Sequence, residues 1–448
     1  MTVSVTSPVL KPDILIFGGG IAGLWLINHL QQRGYQCLLL ETGTLGGAQT
    51  LASQGIIHGG LKYALGGTLS SESEAIAGMP DRWRQAIDGQ GPVDLSGLRV
   101  LSETQNLWSA GSVASRMTTF FASRMLRGRI EKLKRPDFPS ALADRRFKGQ
   151  VYRLDDLVVD TESLLEVLTA PVRDRLLHFD PARHPLSWNE RGLEAVALDG
   201  VRIEPKLTVL AAGEGNAGLL QDAQKAELFP SEAAQSRPLK MVLLKHRLGH
   251  RLYAHCVGTS NKPRLTVTTH DMKDGSLVWY LGGDLAEKGV ERSDAQQLDA
   301  ARRELDELFP WLDFADAELA LMDVARAEPR QQGLAKPDNA YARRDRDLII
   351  TWPTKQKIST SPTGHPVSAL IAQQNIAPVV AHDNVVTTAA KQQIIAVEAF
   401  DRVVKVPTFE NIGAAVSVQL KTKDRRISKP GIKVNDLAQL ILGHPIRG

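Results

Sequence analysis

Three glycines at fixed offsets, in Gly18-Gly19-Gly20-Ile21-Ala22-Gly23, are the residues in this chain whose spacing first suggests chemistry. The pattern G-x-G-x-x-G suits a turn that receives a dinucleotide. The first glycine permits the tight turn, the second lets a pyrophosphate approach the backbone, and the third lets the following helix pack closely on its strand. A helix that starts there presents N–H groups to the phosphates. With 37 glycines in 448 residues the spacing arises by chance roughly 0.25 times per such chain, so the neighbouring elements must carry the reading.

Those elements are present. Asp13 to Phe17 reads as a buried parallel strand, and Ile21 to Arg33 as a helix with apolar Leu24, Leu26, Ile27 and Leu30. Gly34 stops the helix, and Tyr35 to Leu40 reads as a second strand closing on Glu41. Glu41 stands 23 residues beyond Gly18, where a carboxylate accepts hydrogen bonds from ribose hydroxyls and repels a 2′-phosphate. A second run, Gly213-Glu214-Gly215-Asn216-Ala217-Gly218, follows the strand Leu207 to Leu210. No strand ending in Asp or Glu follows it, which argues against a second dinucleotide domain; a glycine-rich turn and a contact with the first nucleotide both remain. Between 43 and 68 glycine is dense, at 43, 46, 47, 55, 59, 60, 66 and 67, as expected where backbone comes close to a ligand.

Composition sets the class. Apolar residues make up 43% and charged residues 23%, a balance that buries a large core and excludes wholesale disorder or a coiled coil. The 54 Lys and Arg against 50 Asp and Glu leave +4, scattered along the chain, so a small molecule rather than nucleic acid is the expected partner. Cys37 and Cys256 have no neighbour at metal-ligand or redox spacing, and no metal is expected. Met1 to Asp13 lacks a basic n-region, and the longest apolar stretch, Ile14 to Leu30, is broken by glycines. These features lead to an expectation of a cytoplasmic protein without a transmembrane segment, with peripheral contact to the inner membrane allowed.

Further along, the stretch 76 to 150 carries basic helical patterns such as Thr118 to Lys134. Gln150 to Arg153 reads as a strand, and Asp160 with Ser163 as a helix start. Met241 to Leu244, Arg264 to Thr269 and Leu277 to Leu281 alternate as an antiparallel sheet does, Asp294 to Leu308 reads as a long helix, and Leu348 to Trp352 as a strand.

The opening β-α-β unit, the run Gln54-Gly55-Ile56-Ile57-His58-Gly59-Gly60-Leu61-Lys62-Tyr63 and the turn Val209 to Gly213 together resemble the FAD-dependent oxidoreductases of the D-amino-acid oxidase superfamily. The His-Gly-Gly-Leu-Lys-Tyr run is most similar to the flavin-linked glycerol-3-phosphate dehydrogenases, and more loosely to the L-2-hydroxyglutarate oxidases. The resemblance implies an α/β fold, α+β overall, with a discontinuous Rossmann-like FAD-binding domain at 10–75, 150–222 and 340–425. A mainly antiparallel-sheet substrate or cap domain then takes 76–149 and 223–339, and 426–448 forms a tail.

It also implies extended FAD with its nucleotide half among Gly18, Gly20, Ile21, Ala22, Gly23, Glu41, Thr42, Ala212 and Gly213. Thr44, Gln49, Thr50 and Gln54 then serve the pyrophosphate, ribityl chain or ring edge, and Gly55 and Ile57 are also expected among the cofactor-binding residues. His58 becomes the candidate base for an alcohol substrate, with an orienting role, a flavin contact or covalent flavin attachment as other options. Arg326 stands near where relatives carry an arginine in a Gly-x-Arg-Pro-like segment, although here Ala327-Glu328 precedes Pro329; its fork suits a carboxylate or phosphate. Lys62, Tyr63, His270 and Lys355 are lesser candidates. For the glycine-rich segment that relatives bring back to the flavin, Phe409 to Val416 around Gly413 and Pro362 to His365 compete.

The implied function is oxidation of a small polar, anionic alcohol or 2-hydroxy acid by hydride transfer to flavin N5, with oxygen, a quinone or a redox protein as electron acceptor. An amine or amino-acid oxidase of the same fold is the alternative, and a flavin-binding protein with a non-enzymatic role is the reading from another class.

Overall fold

A computed structural model describes residues 8–59, 78–109, 130–258, 262–330 and 341–352. Ile14–Phe17 is buried at all four positions, as a strand covered on both faces must be, and it forms the middle of a six-stranded sheet. The order across that sheet is Leu176–His178, Cys37–Glu41, Ile14–Phe17, Leu207–Leu210, Leu348–Trp352 and Tyr341–Asp345. All neighbours run parallel except the last pair. The chain leaves Ile14–Phe17 toward one edge and returns on its other side, so the strand order reverses there, and ligands bind beyond the carboxyl ends at such a point.

The helix Ile21–Gln32 packs its apolar side on this sheet and is tied to the helix Thr161–Thr169 by Asn28, whose Nδ2 donates to Leu168 O at 2.7 Å. Asp160 caps that second helix, its Oδ1 accepting the Ser163 N–H at 2.9 Å. Gly18 has φ +112°, open to glycine and strained for other residues, and a Cβ on Gly23 would lie 1.9 Å from Gly18 O.

An eight-stranded sheet makes the second layer, in the order Glu318–Pro329, Ala234–His246, Leu277–Gly282, Pro263–Asp271, Ala254–Val257, Gln105–Ser109, Gln150–Leu154 and Ile130–Lys132. It is antiparallel but for the pair Gln105–Ser109 with Ala254–Val257. Strand alternation gives it two unlike faces. One face carries Trp108, Cys256, Leu265, Trp279 and Leu281 against the helix Asp294–Leu308 and Phe309. The other carries Met241, Tyr280 and Val324 around Ala52, together with His255, Thr266, Thr268, His270 and Arg326. Among the described residues no helix is long and apolar enough to cross a membrane.

The structure departs from the sequence reading in three places. The helix expected over Thr118 to Lys134 fails at its end, because Ile130–Lys132 is a strand paired with Gln150–Leu154; residues 118–129 lie outside the described residues. The helix Met79–Ile87 packs beneath the first helix, with Trp83 against Trp25 at 5.3 Å between ring centroids. Gln150–Leu154 lies inside the eight-stranded sheet. Both elements cross the partition drawn at 76 and 150: Trp83 is buried in the core around the first helix, and Val151 in the apolar core of the eight-stranded sheet.

Two expectations follow. Helix propensity alone favours Ala over Gly by about 1 kcal/mol, but in Gly23→Ala the clash with the Gly18 carbonyl reverses the sign. Denaturant unfolding should show a loss of about 2 kcal/mol or more, whereas Gly20→Ala, whose Cβ meets only Thr50 Oγ1 at 3.2 Å, should cost under about 1 kcal/mol.

His246 is buried against Trp279, 5.0 Å away, and its Nδ1 accepts the Leu248 N–H at 3.2 Å. Burial, with nearby His250, pushes its pKa from 6.5 down to about 4. The folded chain therefore keeps it neutral while the unfolded chain protonates it near 6.5, so stability falls as pH drops from 6.5 toward 4. Melting temperatures should decline through that window, by the equivalent of roughly 2 kcal/mol, and His246→Phe should flatten the decline.

Candidate active site

A cavity of about 800 Å³ opens beyond the carboxyl ends of the parallel strands, where the topology calls for a ligand. Gly18, Gly20, Ile21, Ala22, Glu41, Thr42, Thr44, Gln49, Thr50, Ala212 and Gly213 all line it. The three glycines of the fingerprint are required for different reasons. A Cβ on Gly18 would stand 2.4 Å from Ala211 O and one on Gly23 would strike Gly18 O, so the protein's own packing demands those two. Gly20 leaves a flat wall facing the cavity, which a pyrophosphate can approach and a side chain would fill.

Glu41 is held by the backbone around it. Oε2 accepts the Gly19 N–H at 2.5 Å, and Oε1 accepts those of Thr42 and Gly43 at 2.8 and 2.9 Å. Thr50 Oγ1 accepts the Ile21 N–H at 2.9 Å, joining the start of the helix to the segment 44–58. The second glycine run forms another wall of the same cavity, through Gly213, Gly215 and Gly218 at the start of the helix Asn216–Lys225. Asn216 pins this wall, accepting the Ala212 N–H at 2.9 Å and donating to Thr351 O at 3.0 Å.

The far end is lined by Phe179, Pro181, His184, Leu186 and Trp188, which sequence reasoning missed. They come from the segment after the edge strand Leu176–His178 and from a four-stranded sheet of Val9–Leu10, Val201–Ile203, Gly192–Leu198 and Leu186–Asn189. The Asp180 N–H donates to His184 Nδ1 at 2.9 Å, which leaves the ring proton on Nε2, directed at Asp199 Oδ1 at 3.1 Å. The apolar walls and the flat Gly20 surface suit an adenine dinucleotide, so the residues present fit the nucleotide half of FAD.

Gln49 links this cavity to the second layer, donating from Nε2 to Ala325 O at 3.0 Å beside Arg326. Gln54 does not line the cavity. Its Nε2 donates to Tyr280 O at 3.0 Å, and its buried Oε1 has no partner among the described residues. Gly23, Gly55 and Ile57 are likewise absent from the cavity wall. A Cβ on Gly55 would sit 2.0 Å from Val159 O, and Ile57 is buried in the core, so both positions shape the pairing of Ile56–Ile57 with Leu157–Val159.

His58 and Arg326 also stand off the nucleotide cavity, His58 at the end of the segment 44–58 beside His255 and Arg326 on the edge strand Glu318–Pro329, four strands away from Ala254–Val257. His58 is 2% exposed, with Nδ1 3.0 Å from Asp156 Oδ2 and its ring 5.6 Å from that of His255. Asp156 Oδ1 accepts the Gly59 N–H at 2.8 Å. Nothing in the sequence singles out Asp156, one of two adjacent aspartates between short strands. Arg326 is buried, with Nε 3.5 Å from Arg237 O and Nη2 4.0 Å from Glu287 Oε1. His270 lies under Tyr280, ring centroids 4.2 Å apart. Lys62, Tyr63, Lys355 and both candidate C-terminal segments, 362–365 and 409–416, fall outside the described residues.

Residues 13–339 match the family described as FAD dependent oxidoreductase, DAO. The probable FAD-dependent oxidoreductase PA4991 of Pseudomonas aeruginosa is 48% identical over 350 residues, which cover 77% of this chain and 87% of the relative. Its crystal structure superposes with a TM-score of 0.66, covering 78% of this chain and 86% of that one at 44% identity. The fold extends to glycine oxidase of Geobacillus kaustophilus, with 16% identity, TM-score 0.53 and coverage of 77% and 89%. It extends also to the L-α-glycerophosphate oxidase of Mycoplasma pneumoniae with FAD bound, with 13% identity, TM-score 0.53 and coverage of 76% and 89%. This chain belongs to the DAO family: it is an FAD-dependent oxidoreductase, an enzyme with FAD as its cofactor.

Proposed function

We propose that the enzyme oxidises a small polar, anionic alcohol or 2-hydroxy acid, with FAD along the six-stranded sheet and substrate against the polar face of the eight-stranded one. The observation that carries the reading is a buried histidine held by a carboxylate beside the polar face of the eight-stranded sheet. The L-α-glycerophosphate oxidase of Mycoplasma pneumoniae, whose name gives an anionic alcohol as substrate, shares the fold.

FAD, when bound, accepts a hydride from the substrate carbon. Arg326 takes the substrate's carboxylate or phosphate through its planar fork, with Glu287 at 4.0 Å partly offsetting the charge. His58, held by Asp156 at Nδ1, accepts the hydroxyl proton. Burial of both side chains keeps water from the proton in transit and strengthens their electrostatic effect. Glu41 would hold the cofactor's ribose, and Gly20 and Thr50, which line the cavity, would flank its pyrophosphate. Oxygen, a quinone or a redox protein then takes the electrons.

Anaerobic mixing of the FAD-loaded enzyme with sn-glycerol 3-phosphate, L-2-hydroxyglutarate and glycine in turn tests the substrate class. Bleaching of the flavin by either hydroxyl compound and not by glycine is the expected result; the reverse pattern reassigns the enzyme to amine oxidation. With the reactive hydroxyl compound, His58→Ala should slow flavin reduction by about a hundredfold or more, and an effect under about threefold would remove His58 from proton transfer. Arg326→Gln should weaken binding of the anionic substrate by roughly 10- to 100-fold, in line with loss of a charge-assisted hydrogen bond, and this is read from the concentration dependence of reduction.

A further inference from the structure

We propose that Trp188 is the residue on which the adenine ring of FAD stacks, so that this end of the cofactor is gripped from a sheet outside the six-stranded one, and the adenine half binds on its own.

The order of groups along the cavity wall fixes where the base goes. Gly20 lies at the fingerprint turn, where a pyrophosphate approaches, and the Glu41 carboxylate stands where ribose hydroxyls are met. The base leaves the ribose on the side away from the phosphates, so it continues past Glu41. The next wall there is Phe179, whose N–H donates to Glu41 O at 2.8 Å.

This stretch offers carbon to a ligand, because its polar side chains are already engaged. Phe179 packs edge-on against Phe17, ring centroids 5.4 Å apart. His184 uses Nδ1 to accept the Asp180 N–H and directs Nε2 at Asp199 Oδ1. Asp222 and Lys225, on the facing helix, close on each other at 2.6 Å.

Trp188 stands on the edge strand Leu186–Asn189, along which burial alternates: Leu186 and Trp188 are half-buried and line the cavity, while Ser187 and Asn189 are exposed. The indole packs against the apolar cluster that holds Phe179 and Leu219. Its Nε1 is buried and has no partner among the described residues. With that nitrogen sealed in, what the side chain shows to the cavity is carbon. A large aromatic carbon surface holds a flat purine by stacking, which needs no donor from the protein.

The test uses the full-length chain, stripped of FAD and shown to rebind it, with three probes: FAD itself, ADP as the adenine half and FMN as the flavin half. ADP should quench part of the tryptophan emission, and Trp188→Phe should remove that quenching. Trp188→Ala should raise the Kd of both FAD and ADP by roughly 10- to 100-fold and leave that of FMN within about threefold. Trp188→Phe, which keeps a ring, should bind FAD within about fivefold of wild type, whereas Trp188→Leu, which keeps apolar bulk without a ring, should follow Trp188→Ala. The Phe and Leu variants keep the comparison meaningful even where Trp188→Ala fails to fold. ADP that does not bind at millimolar concentration overturns the proposal, as does ADP that binds without quenching or with quenching that survives in Trp188→Phe. Equal affinities in the Phe and Leu variants, or equal weakening of ADP and FMN in Trp188→Ala, also overturn it, since either marks a residue that only supports the fold.

Discussion

The segment 44–58 is clamped between two sheets by a few side-chain hydrogen bonds, and the relation between the nucleotide cavity and the polar face depends on that clamp. Thr50 Oγ1 ties it to the first helix, Gln49 and Gln54 tie it to the eight-stranded sheet, and His58 ties its end to Asp156. Each bond contributes only about 1 kcal/mol net, yet removing one partner strands a buried polar group and costs more than the bond contributes. The segment therefore has little freedom to shift along either sheet. A cofactor that spans from Gly20 toward the second layer meets a fixed distance between its two ends rather than an adjustable one.

Sequence patterns reported the local half of this arrangement. The strand Ile14–Phe17, the helix from Ile21, the strand Cys37–Glu41, the Asp160 cap and the helix Asp294–Leu308 each depend on residues within about one supersecondary unit, so their signals are contiguous. Pairings across the chain were not legible. His58 and Asp156 are 98 residues apart, and no residue near either one encodes the meeting. Phe179, His184 and Trp188 reach the cavity only because the edge strand and the small four-stranded sheet converge there. Ile130–Lys132 followed a helical charge pattern and became a strand because Gln150–Leu154 offered it a ladder. The glycines show the same divide: spacing identified Gly18, Gly20 and Gly23 together, whereas only the contacts separate the two that packing requires from the one that leaves a surface open.

Glu41 shows how a local signal gains meaning from its surroundings. Spacing placed a carboxylate at the end of the second strand, as a ribose partner. The three backbone N–H groups that it accepts fix its position before any ligand arrives, so little entropy remains to be lost on binding. The same bonds hold the carboxylate at the cavity wall, which sets the site against an additional phosphate there and is consistent with FAD, a dinucleotide without a 2′-phosphate.

The eight-stranded sheet extends this preorganisation to the substrate side through its unlike faces. Trp108, Phe309 and Trp279 interlock on the apolar face, with ring centroids 5.5 and 5.4 Å apart, and the polar residues take the opposite face. The long ladder from Ala234↔Pro329 to Lys245↔Glu318 puts Arg326 opposite Arg237. A slip of one residue would send Arg326 to the opposite face of its strand, where Ala327 belongs to an apolar cluster with Phe229 and Trp352, because side chains alternate with a period of two. Burying a guanidinium among those rings would cost far more than any one lost contact, so the aromatic packing indirectly enforces the register that presents the arginine. The orientation of the proposed substrate pocket is thus determined by residues that never touch it.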